Sequence, residues 1–533
     1  MRPAPMRPSR SPRRTRYAVA VLLLLPAVAA CSSATGGKDA EGRTPTPSLA
    51  PPSGTVSGPH GRATATVSDF NGDGFGDLVV AAPATEARGR KEAGAVVVLY
   101  GGEHGIEAGR RRQTLVSVGG TSVPARLTPL LDQGHRFGDH VTAADLDGDG
   151  HTDLAVSLEI GPTDAERARA SADGEGHPGR YEPAAGPVTL VLWGSRIGLA
   201  EVTMLPSLGR TAAGDFDGDG QADLVASKGA RVLYGPFGRD GEERKSAQLT
   251  GRWGDSDQPR RILAGDLNGD GRDDLVTSQG FEEMSYPDRF YAGGKDGLGT
   301  RGKDLGTYGL GGAIGDFDCD GYADLAAYDI GKVSEDAQDG AGRVRVLPGG
   351  PDGPGGPAGT LTAPGGGRAG DHSSALDDDQ GDRFGAALSA ADADGDGCAD
   401  LAVGAPGTNG AAGRTDSGAV YLFQGVRGRG LGPAPVRTYT QDSAVVPGTG
   451  ERGDRFGSAV AFLPTGESAP PALAVGAPGE DGAVRDSGAV WVITGPADAH
   501  PRRVTSFGPA AVQAPEKGGT DGTPGTGFGA ALQ

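Results

Sequence analysis

The stretch ADLDGDGHTDLAV, residues 144–156, decides how the rest of the chain is read. It begins like a helix–loop–helix calcium loop, which wants oxygen ligands at positions 1, 3 and 5, Gly at 6 and a bidentate Glu at 12. Counted from Asp145, positions 3 and 5 are Asp147 and Asp149, and position 6 is Gly150. Position 12 is Val156, which cannot bind a cation. The stretch is a dead calcium loop, a chance acidic turn, or a different kind of cation site.

Recurrence excludes chance. SDFNGDGFGDLVVAAP begins at 68, GDFDGDGQADLVAS at 214, GDLNGDGRDDLVTS at 265, GDFDCDGYADLAAY at 315 and ADADGDGCADLAVGAP at 391. All six copies keep Asp at 1, Asp or Asn at 3, Asp at 5, Gly at 6 and Asp at 9. Position 12 always falls in an apolar run, so the loop closes at nine and leads into a strand. Repetition at periods of tens of residues marks a repeat architecture.

The candidate ligands follow from those positions. They are Asp69, Asn71, Asp73, Phe75 and Asp77 in the first loop, and Asp145, Asp147, Asp149, His151 and Asp153 in the second. The third and fourth offer Asp215, Asp217, Asp219, Gln221 and Asp223, then Asp266, Asn268, Asp270, Arg272 and Asp274. The fifth and sixth offer Asp316, Asp318, Asp320, Tyr322 and Asp324, then Asp392, Asp394, Asp396, Cys398 and Asp400. Residue 7 varies freely, as expected if only its backbone carbonyl is used. Oxygen donors without imidazole or thiolate suit calcium, with about six sites. Six doubly charged ions would take the net charge of −19 to about −7.

Each loop sits in a longer unit. RFGDHVTAAD (136), RFGAALSAAD (383) and RFGSAVAFLP (455) precede loops or their equivalent; AAP or GAP follows, then GAVVVLYGG (94), GAVYLFQG (418) or GAVWVITG (488). The unit resembles the FG-GAP repeat of integrin α-subunit heads and related bacterial surface proteins, over about 61–533. That resemblance implies an all-β fold, a β-propeller with one four-stranded blade per repeat. It also implies calcium loops between first and second strands, on the face opposite the ligand-binding face. Units start near 61, 137, 207, 258, 308, 384 and 456; the seventh lacks the acids, and TGFGAALQ at 526–533 opens an eighth. Seven blades latched by that stub are expected, because closure removes sheet edges; eight positions or a truncated chain are the alternatives.

The N-terminus reads as a bacterial lipoprotein signal over 1–30. Six arginines precede an apolar run, 18–30, too short to span a bilayer. It ends in VAAC, which resembles a lipobox and implies lipidation of Cys31. Residues 31–60 follow as the lipidated Cys and a Ser/Thr/Pro/Gly-rich tether. A secreted protein lipid-anchored to the outer face of the cell membrane is expected, with no other membrane segment. Cys319 and Cys398 then remain, an even count in an oxidising compartment, so a disulfide between them competes with two free thiols.

Acidity disfavours nucleic acid as a partner. There is no HExxH, GxSxG or P-loop, and Trp193 and Trp491 sit in apolar strand runs. Arg452-Gly453-Asp454 belongs to the repeat's own lead-in. The reading is therefore a monomeric binding protein, not an enzyme, that engages a protein or glycan through long connections at 103–135 and 160–187. Calcium is structural. The alternative is a calcium-dependent polysaccharide-acting enzyme or lectin on the same fold.

Overall fold

The computed structural model describes residues 68–533 except 88–91, 110, 117–133, 161–186, 250–258, 260, 282–283, 332, 335–336, 339–341, 367–380, 467–468 and 517–524. The signal segment, Cys31, the tether and most of both long connections lie outside the described residues.

The acidic loops end in short apolar runs, and each run is a second strand: Leu78–Ala82, Asp153–Ile160, Asp223–Ala226, Asp274–Phe281, Asp324–Asp329 and Asp400–Ala405. Ala472–Ala477 is the seventh. Each lies between a first and a third strand in a four-stranded antiparallel meander, the first strand of blade 2 coming in two pieces, Gly134–His135 and Val141–Ala144, that both pair with Asp153–Ile160. The runs read as continuously apolar because both faces are covered, as the fully buried Leu78–Ala82 and Ala472–Ala477 show. Seven such sheets form an all-β, seven-bladed propeller. Three short 3-10 turns are the only helices among the described residues.

Apolar clusters lie at every junction between neighbouring blades and account for the ring. Phe70, Val98 and Leu154 join blades 1 and 2; Trp193 and Leu224 join 2 and 3; Phe216 and Tyr291 join 3 and 4. Leu267 and Leu325 join 4 and 5, Phe317 and Phe423 join 5 and 6, and Leu422 with Phe456 and Trp491 joins 6 and 7. Phe528 sits with Leu78 and Val490 at the junction of blades 7 and 1. Trp193 and Trp491 are core, each 1 % exposed.

The C-terminal stub closes the ring. Ala531–Leu532 pairs antiparallel with Leu78–Ala82 and supplies the first strand of blade 1. Gln533 continues the ladder, its N–H donating to the Val79 carbonyl at 3.1 Å and its own carbonyl accepting from Val79 at 2.8 Å. With its amide oriented to satisfy both neighbours, Gln533 also donates to the Val141 carbonyl of blade 2. The first acidic loop therefore differs from the other five: its first strand comes from the far end of the chain. A second difference lies at 103–135, where Arg112–Val116 forms the outer strand of blade 1 inside the expected connection.

The Phe-Gly and Gly-Ala-Pro segments are one contact seen from two sides. A Cβ on Gly404 or Gly476 would fall 2.1 and 2.0 Å from the carbonyls of Gly457 and Gly529 in the next Phe-Gly. Backbones meet there with no room for a side chain.

Phe528 is fully buried. Phe528→Ala should cost about 3–5 kcal/mol in chemical unfolding, as should Phe456→Ala at the preceding junction. A negligible effect at Phe528 would mean that the stub does not latch the ring.

Candidate metal centre

Each nine-residue loop is organised by its own acids. The Asp at position 1 accepts from the backbone N–H groups of positions 5 and 6 in most loops: Asp145 takes Asp149 at 3.1 Å and Gly150 at 3.0 Å, and Asp266 takes Asp270 at 3.1 Å and Gly271 at 2.9 Å. Position 3 accepts from position 5, and position 5 from position 7, as with Asp147 to Asp149 and Asp149 to His151. These are side-chain-closed turns of the kind Asp and Asn favour.

Position 9 ties the loop to the sheet. One oxygen of Asp77, Asp153, Asp223, Asp274, Asp324 and Asp400 accepts the N–H of position 2, at 2.8–3.0 Å. The other accepts from the glycine that ends the third strand: Gly101, Gly194, Gly235, Gly293, Gly349 and Gly425, at 2.7–2.9 Å. A Cβ on any of these glycines would fall 2.1–2.3 Å from the backbone carbonyl of loop position 8. These six glycines are site-building residues that the loop pattern alone does not reveal. The signal was the Gly that recurs after each GAV-type strand.

Burial, followed by neighbouring carboxylates, raises these position-9 acids. Asp77 and Asp153 are pushed up to about 8, and Asp223, Asp274, Asp324 and Asp400 to about 7; their two backbone N–H bonds act the other way.

The donor sets fit a hard cation. Carboxylate oxygens of Asp145, Asp147 and Asp153 lie within 4.8 Å of one another, as do those of Asp215, Asp217 and Asp223, of Asp316, Asp318 and Asp320, and of Asp392, Asp394 and Asp400. The loops at 69 and 266 have an Asn carbonyl in place of one carboxylate. Oδ1 of Asp217 is buried without a hydrogen-bond partner. Several of these clusters could hold a metal ion. Basic groups meet the same acids: Arg239 bonds Asp147 and Asp149, each at 2.7 Å, Arg244 bonds Asp217 at 2.8 Å and Asp219 at 2.7 Å, and Arg111 pairs with Asp73.

Residue 7 varies, but its side chain is not idle. It covers position 4 of the preceding loop. A Cβ on Gly72 would fall 2.9 Å from His151, on Gly148 2.3 Å from Gln221, on Gly218 2.9 Å from Arg272, and on Gly269 2.9 Å from Tyr322. At the next junction the same two positions are Cys319 and Cys398, joined by a disulfide with Cα atoms 5.1 Å apart. Cys319 has φ +56°, in the region that the other loops fill with Gly. Neighbouring loops are also laced by backbone: position 8 of one donates to position 1 of the loop before, as Thr152 does to Asp69 and Asp273 to Asp215, both at 2.9 Å. The Asp273 carboxylate, an acid outside the ligand pattern, accepts the Asp215 N–H at 2.8 Å.

Asp454 of the Arg-Gly-Asp tripeptide is 1 % exposed, so that carboxylate is not presented to a partner.

A family model for the FG-GAP repeat matches residues 60–99 and 384–423, which carry the first and sixth acidic loops. The chain carries FG-GAP repeats on a seven-bladed β-propeller. A search of curated proteins gives no significant match.

Two outcomes test this geometry. The position-9 carboxyls of the metal-free propeller lie above their unfolded value of about 4. Their contribution to stability is present below that value and lost as pH rises through about 7 to 8. Chelator-treated protein should therefore melt lower at pH 8 than at pH 5, a difference that added calcium should erase; equal melting without calcium would contradict it. Replacing the disulfide by Cys319→Ser and Cys398→Ser should cost about 2–4 kcal/mol. Cys319→Gly with Cys398→Ser should cost less, because Gly suits the left-handed backbone. Thermal melts of the two double variants decide the order.

Proposed function

We propose that this protein is a calcium-stiffened propeller, lipid-anchored through Cys31 outside a bacterial membrane, that works by binding a protein or glycan. The FG-GAP β-propeller fold supports a generic role in adhesion or scaffolding. The observation that carries the calcium reading is repetition: six of seven blades place the same oxygen donors at the same strand end. A scaffold repeats its clips, whereas catalysis needs one specialised centre. The acids are already engaged in building the loops and so are not free as a general acid and base. In this reading the protein acts as a monomer, and the face opposite the loops receives the partner. The long connection between Asp153–Ile160 and Pro187–Trp193 leaves from that face.

Calcium bound to the loops would be held by the carboxylates at positions 1, 3, 5 and 9, with Asn71 and Asn268 contributing carbonyls. It would neutralise charge that burial makes costly. Calorimetric titration of calcium into chelator-treated full chain should find about six sites, each raising stability by about 2.7 kcal/mol at a hundredfold excess over its Kd. One or two sites with little stabilisation would move the protein away from a scaffold and toward a specialised, single-centre function.

A further inference from the structure

The first strands surround the axis of the propeller. Val141–Ala144, Thr211–Gly214, Arg261–Gly265 and Gly309–Gly315 each pack beside the next, and the series runs on through Ala387–Ala391 and Ala459–Leu463 to Ala531–Leu532. Their starts lie at the end of the ring away from the acidic loops. Five residues before loop position 1 stand His140 in blade 2, Arg210 in blade 3 and Arg261 in blade 4. Gly311 and Ala387 hold that point in blades 5 and 6, and strand pairing gives Ala459 and Ala531 in blades 7 and 1.

The residue opposite on the second strand is serine in the same three blades. Arg261 pairs with Ser278, and the hydroxyls of Ser157 and Ser227 accept the N–H groups of His140 and Arg210 at 2.9 and 2.8 Å. Where the first strand has alanine, the partner is Gly404, Gly476 or Ala81. Basic residue and serine change together, and four blades form without either.

Blades 2 and 3 are tied directly beside this point: Thr142 Oγ1 lies 2.7 Å from Thr211 Oγ1. Arg210 reaches across to Nδ1 of His140 at 3.2 Å. A guanidinium only donates, so Nδ1 accepts and the imidazole proton sits on Nε2, 3.4 Å from the Asp139 carboxylate. Asp139 also pairs with Arg136 at 2.6 Å, and Glu92 lies 3.9 Å from Arg136. Burial pushes the pKa of His140 down, then Arg210 does; Arg261 and Arg136 act the same way and Asp139 opposes them. Three guanidinium groups thus act on one point of a chain whose net charge is −19. Arg261 is exposed and lies beside Gly311, where a Cβ would fall 3.7 Å from its side chain; Arg210 and His140 are half-buried.

We propose that Arg210 and Arg261, with His140, form an oxyanion site at this end of the ring of first strands, one that takes a sulfate, phosphate or carboxylate group. Both arginines also engage other groups of the protein. A guanidinium carries five donors in a planar fork, which suits paired oxygens of an anion. The site lies on the face that the binding reading assigns to the partner, and it gives that partner an anionic group.

The test titrates the full chain with inorganic sulfate and, separately, with glucuronate at low ionic strength, followed by calorimetry. Saturable binding of at least one is expected. Arg210→Ala with Arg261→Ala installs the residue that blades 6, 7 and 1 carry at this point, so the variant should fold, and binding should weaken at least about tenfold. Selenate-soaked crystals of the unaltered chain should show an anomalous peak between Arg210 and Arg261. Binding of sulfate alone or of glucuronate alone would uphold the site and name its group. No binding of either, equal binding by both proteins, or selenate peaks only elsewhere would overturn it. Should the double variant fail to fold, the crystals decide. Neither probe requires the partner, so failure here would leave the binding reading standing.

Discussion

The carboxylate at position 9 of each acidic loop holds the blade together at the end where first, second and third strands meet. One oxygen takes the loop's own N–H and the other takes the N–H that ends the third strand, 12 to 41 residues away in sequence. Those bonds need an acceptor and a close backbone approach, which is why an Asp and a glycine recur together. Yet the bonds do not discharge the carboxylate. It is buried beside two or three others, and burial raises its pKa toward neutrality. The geometry wants the charged form, and the surroundings penalise it. A hard cation would resolve that conflict; Arg239 and Arg244 pair from the solvent side with the neighbouring acids at positions 3 and 5.

Blade 7 shows the alternative. Its connection between first and second strands carries Pro464, Pro470 and Pro471 in place of acids. Thr465 donates to the Pro470 carbonyl at 2.9 Å. Proline restricts the chain without introducing charge. The blade keeps the Phe-Gly and Gly-Ala-Pro contacts and the buried second strand, so the acidic loop is not needed to form a blade. What it adds in the other six is a rigid, charge-dependent clip.

The chain displayed its repeats openly because each is fixed by a chemical requirement: Gly at a left-handed turn, Asp where a side chain must close the loop, an apolar run where a strand is covered on both faces. The 72-residue spacing of Phe384, Phe456 and Phe528 likewise exposed the closing strand. Contacts between repeats were less legible. Nothing in DFDCDG and DGDGCAD alone says that position 4 of one loop meets position 7 of the next; the blade-to-blade offset decides it. The same offset explains why residue 7 looked unconstrained when each loop was read by itself. Arg239 was hidden for a further reason, since it lies in blade 3 but serves the acids of blade 2.

That offset turns six separate loops into a belt. Position 8 of one loop donates to position 1 of its predecessor, and position 7 shields its position 4, so each loop is part of the wall of the next. Setting the acids of one loop therefore sets the backbone against which a neighbour packs, as Asp273 does for Asp215. The disulfide makes one of these contacts covalent where Cys319 has replaced the glycine that its backbone angle favours. The belt stops at blade 7, where a Cβ on Gly395 would fall 3.9 Å from the Pro470 ring and no acidic loop lies beyond it. The ring is thus closed once, by a strand borrowed from the C-terminus, while the belt of acidic loops runs along one face over all but one blade.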